Sequence, residues 1–233
     1  MSRVILYDKD GTLLNFQKLW TPYARKSIDS FVERFDMENV REALSRDLGY
    51  VDGVIQANST IAAGTGSQIH QVFESYHEGG GQWAKDFYEE NIDLLYQDMA
   101  LIDGAREVLV KGMNKGYKNV IVTSDSRDST MRFIEKFQLD EYIYDVICGD
   151  DNDFKKPDYR VVKSFIDSHD FELSDYVMIG DNEADTLLGY DEGLFTIGVL
   201  SGTCSKEHLK GADMVIESVE DLFDQEGNFI LDA

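Results

Sequence analysis

The strongest constraint on the fold is a series of short apolar runs, each long enough for one strand and each followed at once by polar residues. The first is Val4-Ile5-Leu6-Tyr7. From residue 101 onward, runs at 119–123, 144–148, 176–180 and 195–199 alternate with helical patterns at 104–115, 129–137, 159–169 and 184–190. A short strand at 214–216 and a helical turn at 219–223 close the pattern. Continuous apolar runs suit strands covered on both faces, and single helices between strands mean parallel pairing with right-handed crossovers. The expected class is α/β, a Rossmann-like parallel sheet.

Between the first run and the others lies a long stretch with no strong strand signal. Thr21-Pro22 reads as an N-cap followed by a first-turn proline, with Tyr23, Ala24, Ile28, Phe31, Val32 and Phe35 at helical spacing. Further helices are expected at 38–48, 69–76 and 82–96, with a Gly- and Ser-rich loop at 59–68. This predicts an all-helical domain, 16–97, inserted into a core made of 1–15 and 98–233.

Four polar features fall at strand ends. They are Asp8 and Asp10 after the first run, Thr123-Ser124, Lys156-Pro157, and the turn Gly180-Asp181-Asn182-Glu183-Ala184-Asp185. In a parallel sheet such ends share the edge where open α/β proteins bind ligands. Crowded carboxylates need a cation or a proton. Magnesium takes carboxylates, waters and a substrate phosphate, and Asp8 and Asp181 offer the carboxylates. Lys156 offers a point charge for phosphoryl oxygens, with Lys155 as a rival, and Thr123 a neutral donor. A carboxylate can also act as a nucleophile, and a second acid can move protons.

Asp8-x-Asp10-Gly11-Thr12, Thr123, Lys156-Pro157 and Gly180-Asp181-x-x-x-Asp185 resemble, in order, the four motifs of the haloacid dehalogenase-like (HAD) superfamily. Gly198-Val199-Leu200-Ser201-Gly202 and Ala212-Asp213 resemble its phosphoglycolate phosphatase-like branch, and the insert occupies the place of a helical C1-type cap. The resemblance implies a Mg2+-dependent phosphatase acting on a small phosphorylated metabolite, phosphoglycolate-like or a sugar phosphate. Asp8 is then the nucleophile that becomes an aspartyl phosphate, and Asp10 the general acid and base. Asp8, the Asp10 carbonyl and Asp181 bind the metal, and Asp185 supports the metal shell or Lys156. Thr123, Ser124 and Lys156 hold the phosphoryl group, Gly11 and Thr12 shape the turn, and Gly64 and Thr65 form a candidate substrate loop.

In that superfamily the second aspartate is absent from dehalogenases and replaced in phosphonate hydrolases, so Asp10 implies an oxygen leaving group. No lysine lies between Lys26 and Lys85 to serve as a phosphonatase-type Schiff base. Two departures stand out. Lys9 replaces an apolar residue and is expected to point away from the acids, and Ser124-Asp125-Ser126-Arg127 replaces an Asn-Lys pattern. A sugar-phosphate mutase or phosphotransferase is the alternative, and a non-catalytic module is disfavoured because no motif is damaged. Arg41, Arg46 and Arg127 are candidates for an anionic substrate tail, or else ordinary salt bridges.

Charge narrows the partners. With 22 Lys and Arg against 45 Asp and Glu, the net charge of −23 opposes binding to nucleic acid or an anionic membrane. Cys148 and Cys204 show no metal or disulfide spacing. With no signal-peptide or transmembrane pattern, a cytoplasmic protein is expected, a monomer or homodimer.

Overall fold

The computed structural model describes residues 3–151 and 153–232. Its strands, in chain order, are β1 (Val4–Tyr7), β2 (Tyr50–Val51), β3 (Val54–Ile55), β4 (Lys118–Val122), β5 (Asp145–Ile147), β6 (Tyr176–Gly180), β7 (Phe195–Val199) and β8 (Met214–Ile216). Six of them form one parallel sheet in the order β5-β4-β1-β6-β7-β8. β1 is central, and all four of its residues are buried. The chain runs outward from β1 through β4 to β5, then returns to the other side of β1 to form β6. β1 therefore marks the topological switch point, where ligands bind at the carboxyl ends of the strands.

The register fixes that edge. Tyr7 lies opposite Ile121 on one side and Ile179 on the other, and the Asp8 N–H donates to the Ile179 carbonyl at 2.8 Å. Asp8, Thr123 and Asp181 thus emerge from three adjacent strands at one end.

The helices are α1 (Phe16–Phe35), α2 (Arg41–Leu48), α3 (Thr60–Ala63), α4 (Gly66–Tyr76), α5 (Gly80–Gln97), α6 (Ala105–Asn114), α7 (Arg127–Lys136), α8 (Arg160–Asp167) and α9 (Glu183–Thr186). In α8, Val161, Val162, Phe165 and Ile166 form an apolar stripe. They share a core with Val4, Leu6, Val120, Tyr176 and Met178, one face of the sheet.

The chain divides into two compact units, 1–15 with 101–233 and 16–100. The division falls three residues beyond the expected 97/98 boundary. Met99 is buried, and the first residues of the outgoing chain are fixed by a bridge between Leu14 and Leu101 and by Ile102 N–H donating to the Leu13 carbonyl at 2.9 Å.

The inserted unit has its own core of Ile28, Phe31, Val32, Leu44, Leu48 and Phe73. It departs from expectation in three ways. It is not all-helical, because β2 and β3 form an antiparallel hairpin around Asp52 and Gly53, both at positive φ (52° and 84°). That is the backbone a two-residue type I′ hairpin turn demands. The stretch read as a 59–68 loop holds α3 and the start of α4, capped by Ser59 and by a Thr65–Gln68 capping box. Finally, α1 begins at Phe16, not at Thr21-Pro22, so Pro22 lies inside a helix. Before it, the Gln17 side chain clamps Ile55, donating to its carbonyl at 2.7 Å and accepting from its N–H at 3.1 Å. This tie gives the early turns a tertiary anchor against the hydrogen bond that proline removes.

Candidate active site

Lys156 is the hub of the strand-end cluster. Its side chain is 3% exposed, and its Nζ donates to Asp8 Oδ1 at 2.6 Å, Asp185 Oδ1 at 2.5 Å and the Val122 carbonyl at 3.1 Å. An ammonium has three donors, and all three are used. The two carboxylates hold Lys156 firmly protonated despite its burial. Lys155 is exposed and donates to the Gly149 carbonyl instead, so of the two lysines it is Lys156 that joins the carboxylate cluster.

Three buried carboxylates, on Asp8, Asp181 and Asp185, bring oxygen atoms within 4.8 Å of one another. Asp185 is fully buried, and its second oxygen accepts from the Asn182 N–H at 3.3 Å. Asp181 accepts from the Thr203 N–H at 3.1 Å and the Asn182 side-chain amide at 3.4 Å. Burial, and then the Asp8 and Asp185 charges, raise the Asp181 carboxyl well above its ordinary range. Burial and Asp185 likewise push Asp8 up to about 6, against the pull of Lys156. One ammonium against three carboxylates leaves negative charge uncompensated in a buried cluster. The donors are all oxygen, so the residues fit a hard divalent cation such as Mg2+.

Two glycines shape the space around Asp181. A Cβ on Gly11 would sit 2.5 Å from the Asp181 carboxyl group, and one on Gly202 would sit 1.7 Å from Oδ2. Gly11 is also at φ +88°, where the chain turns after β1. Ser201 Oγ donates to the Gly11 carbonyl at 2.7 Å, which joins the two loops. Thr12 is fully buried in the same turn.

That turn overturns the expectation for Lys9. Strand geometry does not continue to Asp10, because the Lys9 carbonyl accepts from the N–H groups of Leu13 at 2.9 Å and Leu14 at 2.8 Å. Alternation of side chains holds only while the backbone is extended. Lys9 therefore does not point away from the acids. Its Nζ, on a side chain 1% exposed, lies 2.7 Å from Asp10 Oδ2 and 2.8 Å from Asp125 Oδ2. Burial first, then Asp125 and Asp8, raise the Asp10 carboxyl, with Lys9 acting against them.

Thr123 is buried, and its Oγ1 accepts from the Asp125 N–H at 3.1 Å, leaving its own hydroxyl proton to donate. Ser124 is exposed in the same loop. Its carbonyl would stand 2.1 Å from a Cβ at position 149, which makes Gly149 a close-packing requirement. Glu183 is an exposed first-turn acid of α9.

In the inserted unit, Thr65 caps α4, and Gly64 ends α3 against the Thr60 carbonyl. Gly64 lines a cavity of about 490 Å³ with neutral polar walls that include Asn58, Thr60, Gln68 and Gln71. Arg41 pairs with Asp29 and Glu38, Arg46 with Glu42, and, in the core, Arg127 with Asp151. All three arginines are in ordinary salt bridges.

Asn182, Thr203, Gly202 and Asp125 belong to the site but carried no assigned role in the sequence reading. The Asn182-x-x-Asp185 spacing is a capping-box signature and was available. Thr203 and Gly202 reach Asp181 from a distant loop; Thr203 leaves no local signal, and Gly202 is marked only by the branch resemblance.

The profile of the haloacid dehalogenase-like hydrolases matches residues 5–199, most of the chain. The chain belongs to that family. This hydrolase is 24% identical over 225 residues to a phosphoglycolate phosphatase from Vibrio parahaemolyticus, covering 95% of each chain. It is 27% identical over 227 residues to the pyrophosphatase PpaX of Halalkalibacterium halodurans, covering 94% of each. Among solved structures it is similar to CbbY from Rhodobacter sphaeroides in complex with phosphate. There the TM-score is 0.67 at 18% identity, covering 97% of this hydrolase and 99% of that chain, a likeness of fold.

Proposed function

We propose that this hydrolase is a magnesium-dependent phosphatase that cleaves a small phosphomonoester through an aspartyl phosphate on Asp8. The observation that carries this reading is the buried Lys156–Asp8–Asp185–Asp181 cluster at the switch-point edge of the sheet. Positioning and electrostatics supply most of the catalysis in phosphoryl transfer, and this cluster provides both.

Lys156 holds Asp8 by one oxygen and so fixes the carboxylate that attacks phosphorus. The bond from phosphorus to the leaving oxygen breaks as Asp10 delivers a proton to that oxygen. Asp10, its carboxyl raised by burial, then takes a proton from the water that attacks the aspartyl phosphate. Inorganic phosphate departs, and both carboxyl groups return to their starting states. Thr123 and the Ser124 amide receive the phosphoryl oxygens, and Lys156, its three donors held by Asp8, Asp185 and the Val122 carbonyl, acts on them as a point charge. Asp8, the Asp10 carbonyl and Asp181 would hold Mg2+, with Asp185 fixing Lys156; the ion supplies the positive charge that lets a phosphoryl dianion approach three carboxylates.

Phosphoglycolate phosphatase and pyrophosphatase, the names of the relatives, share a phosphoryl group on an oxygen leaving group, as Asp10 requires. The substrate class is a small phosphorylated metabolite, phosphoglycolate-like or a sugar phosphate. A phosphate-release screen over such metabolites, with and without Mg2+, tests the reading. Asp8→Asn should lower turnover at least ~10³-fold with the fold intact. Undiminished metal-dependent turnover in that variant would rule out the mechanism.

A further inference from the structure

We propose that Lys9 is a positioning residue for Asp10, held by Asp125, and that it ties proton transfer to the loop that receives the phosphoryl group. The inference rests on the phosphatase reading above and adds a residue to it. Lys9 and Asp125 sit at the two places where the sequence departs from the family's usual pattern, and the fold brings them together 116 residues apart in the chain.

The geometry is that of a clamp. Lys9 Nζ reaches Asp10 Oδ2 at 2.7 Å and Asp125 Oδ2 at 2.8 Å, and also lies 6.0 Å from the centre of the Phe133 ring. Its side chain is 1% exposed, so it has no solvent into which to swing. Asp125 is itself anchored, since its Oδ1 accepts from the Ser126 N–H at 2.8 Å. On Asp10, Oδ2 is bound to Lys9 while Oδ1 has no hydrogen bond among the described residues. A carboxylate held by one oxygen presents the other in a fixed direction, and proton transfer depends on that direction.

The tie continues into the phosphoryl loop. The backbone N–H of Asp125 donates to Thr123 Oγ1 at 3.1 Å, and its carbonyl accepts from Gly149 N–H at 2.7 Å. Lys9 thus joins the acid that serves the leaving oxygen to the loop that serves the phosphoryl oxygens. A buried ammonium between two carboxylates could in principle serve stability alone. Buried ion pairs are often neutral for stability, so the test must read chemistry.

Lys9→Met removes the ammonium. Lys9→Met combined with Asp125→Asn removes it and neutralises one of its two acids, which leaves Asp10 alone without its partner, in case the single variant does not fold. Wild type and both variants are assayed in Mg2+ on p-nitrophenyl phosphate, whose leaving group needs little protonation, and on phenyl and alkyl phosphates, whose leaving groups need it. The expected result is a kcat/KM on alkyl phosphate that falls at least ~10-fold further than on p-nitrophenyl phosphate. A burst of nitrophenol equal to the enzyme concentration should accompany it, because the second use of Asp10 is slowed as well. An unchanged ratio with no burst, in folded variants of an enzyme that hydrolyses these esters, overturns the role of Lys9 and leaves the phosphatase reading standing. Absence of hydrolysis by wild type overturns both.

Discussion

Asp181 is a carboxylate whose surroundings disfavour its charge. It is 4% exposed, accepts from the Thr203 N–H and the Asn182 side-chain amide, and faces Asp8 and Asp185. A carboxyl whose folded pKa lies above its unfolded value binds its proton more tightly when folded. Its stabilising contribution is therefore complete below about pH 4 and is lost as pH rises through the folded value. For Asp8 that loss runs from the ordinary 3.8 to about 6, and for Asp181 the direction is the same. In EDTA, then, the wild-type protein carries a destabilising charge cluster at neutral pH. Asp181→Asn should raise Tm in EDTA at pH 7.5 by roughly 2–8 °C, the range expected for ~1–2 kcal/mol in a chain of this size. The advantage should shrink as pH falls toward 4. Mg2+ should raise the Tm of wild type, and that rise should be lost in the variant. A lower Tm in EDTA together with an intact Mg2+ response would contradict the assignment of Asp181 to the metal.

At the scale of elements, α9 shows how a four-residue helix can organise chemistry. Asn182 caps it, accepting from Ala184 N–H at 2.8 Å and Asp185 N–H at 3.3 Å, while Asp185 returns a bond to the Asn182 N–H. The same cap fixes the carboxylate that holds Lys156. Asn182→Ala should cost about 1 kcal/mol of stability and lower kcat more than it raises KM, and Asn182→Ser should recover most of both. Equal stability loss with unchanged kcat would separate the cap from the site. The capping pattern was readable in the sequence, as was every strand of the large sheet, because both depend on neighbours in the chain. The Tyr50–Ile55 hairpin was readable too, since Asp52-Gly53 spells its turn, but its strands of two residues each are too short for a periodic signal. Thr21-Pro22 misled because a tertiary clamp by Gln17 outweighs a local start signal. Lys9 misled because alternation was carried to Asp10, three residues past the end of β1 at Tyr7. Thr203 could not be read at all, and Gly202 is marked by the branch resemblance without its place beside Asp181, since the loop that brings both there lies between β7 and β8, far from Asp181 in the chain.

For the whole molecule the decisive quantity is the net charge of −23. It draws Mg2+ toward the protein and repels a phosphate ester, so the two ligands should respond to salt in opposite ways. The Debye length falls from ~10 Å at 0.1 M to ~3 Å at 1 M salt, which screens the surface field but leaves the buried Lys156 cluster nearly untouched. With increasing NaCl, the Mg2+ concentration for half-maximal activity should rise. At saturating Mg2+, kcat/KM for a small phosphate ester should rise or hold, where a positively steered enzyme would lose it. The kcat itself, set inside the buried site, should change little. Titrations of Mg2+ and of substrate at three NaCl concentrations separate these effects. A fall in kcat/KM at saturating Mg2+ would mean that a local positive field at the site outweighs the global charge.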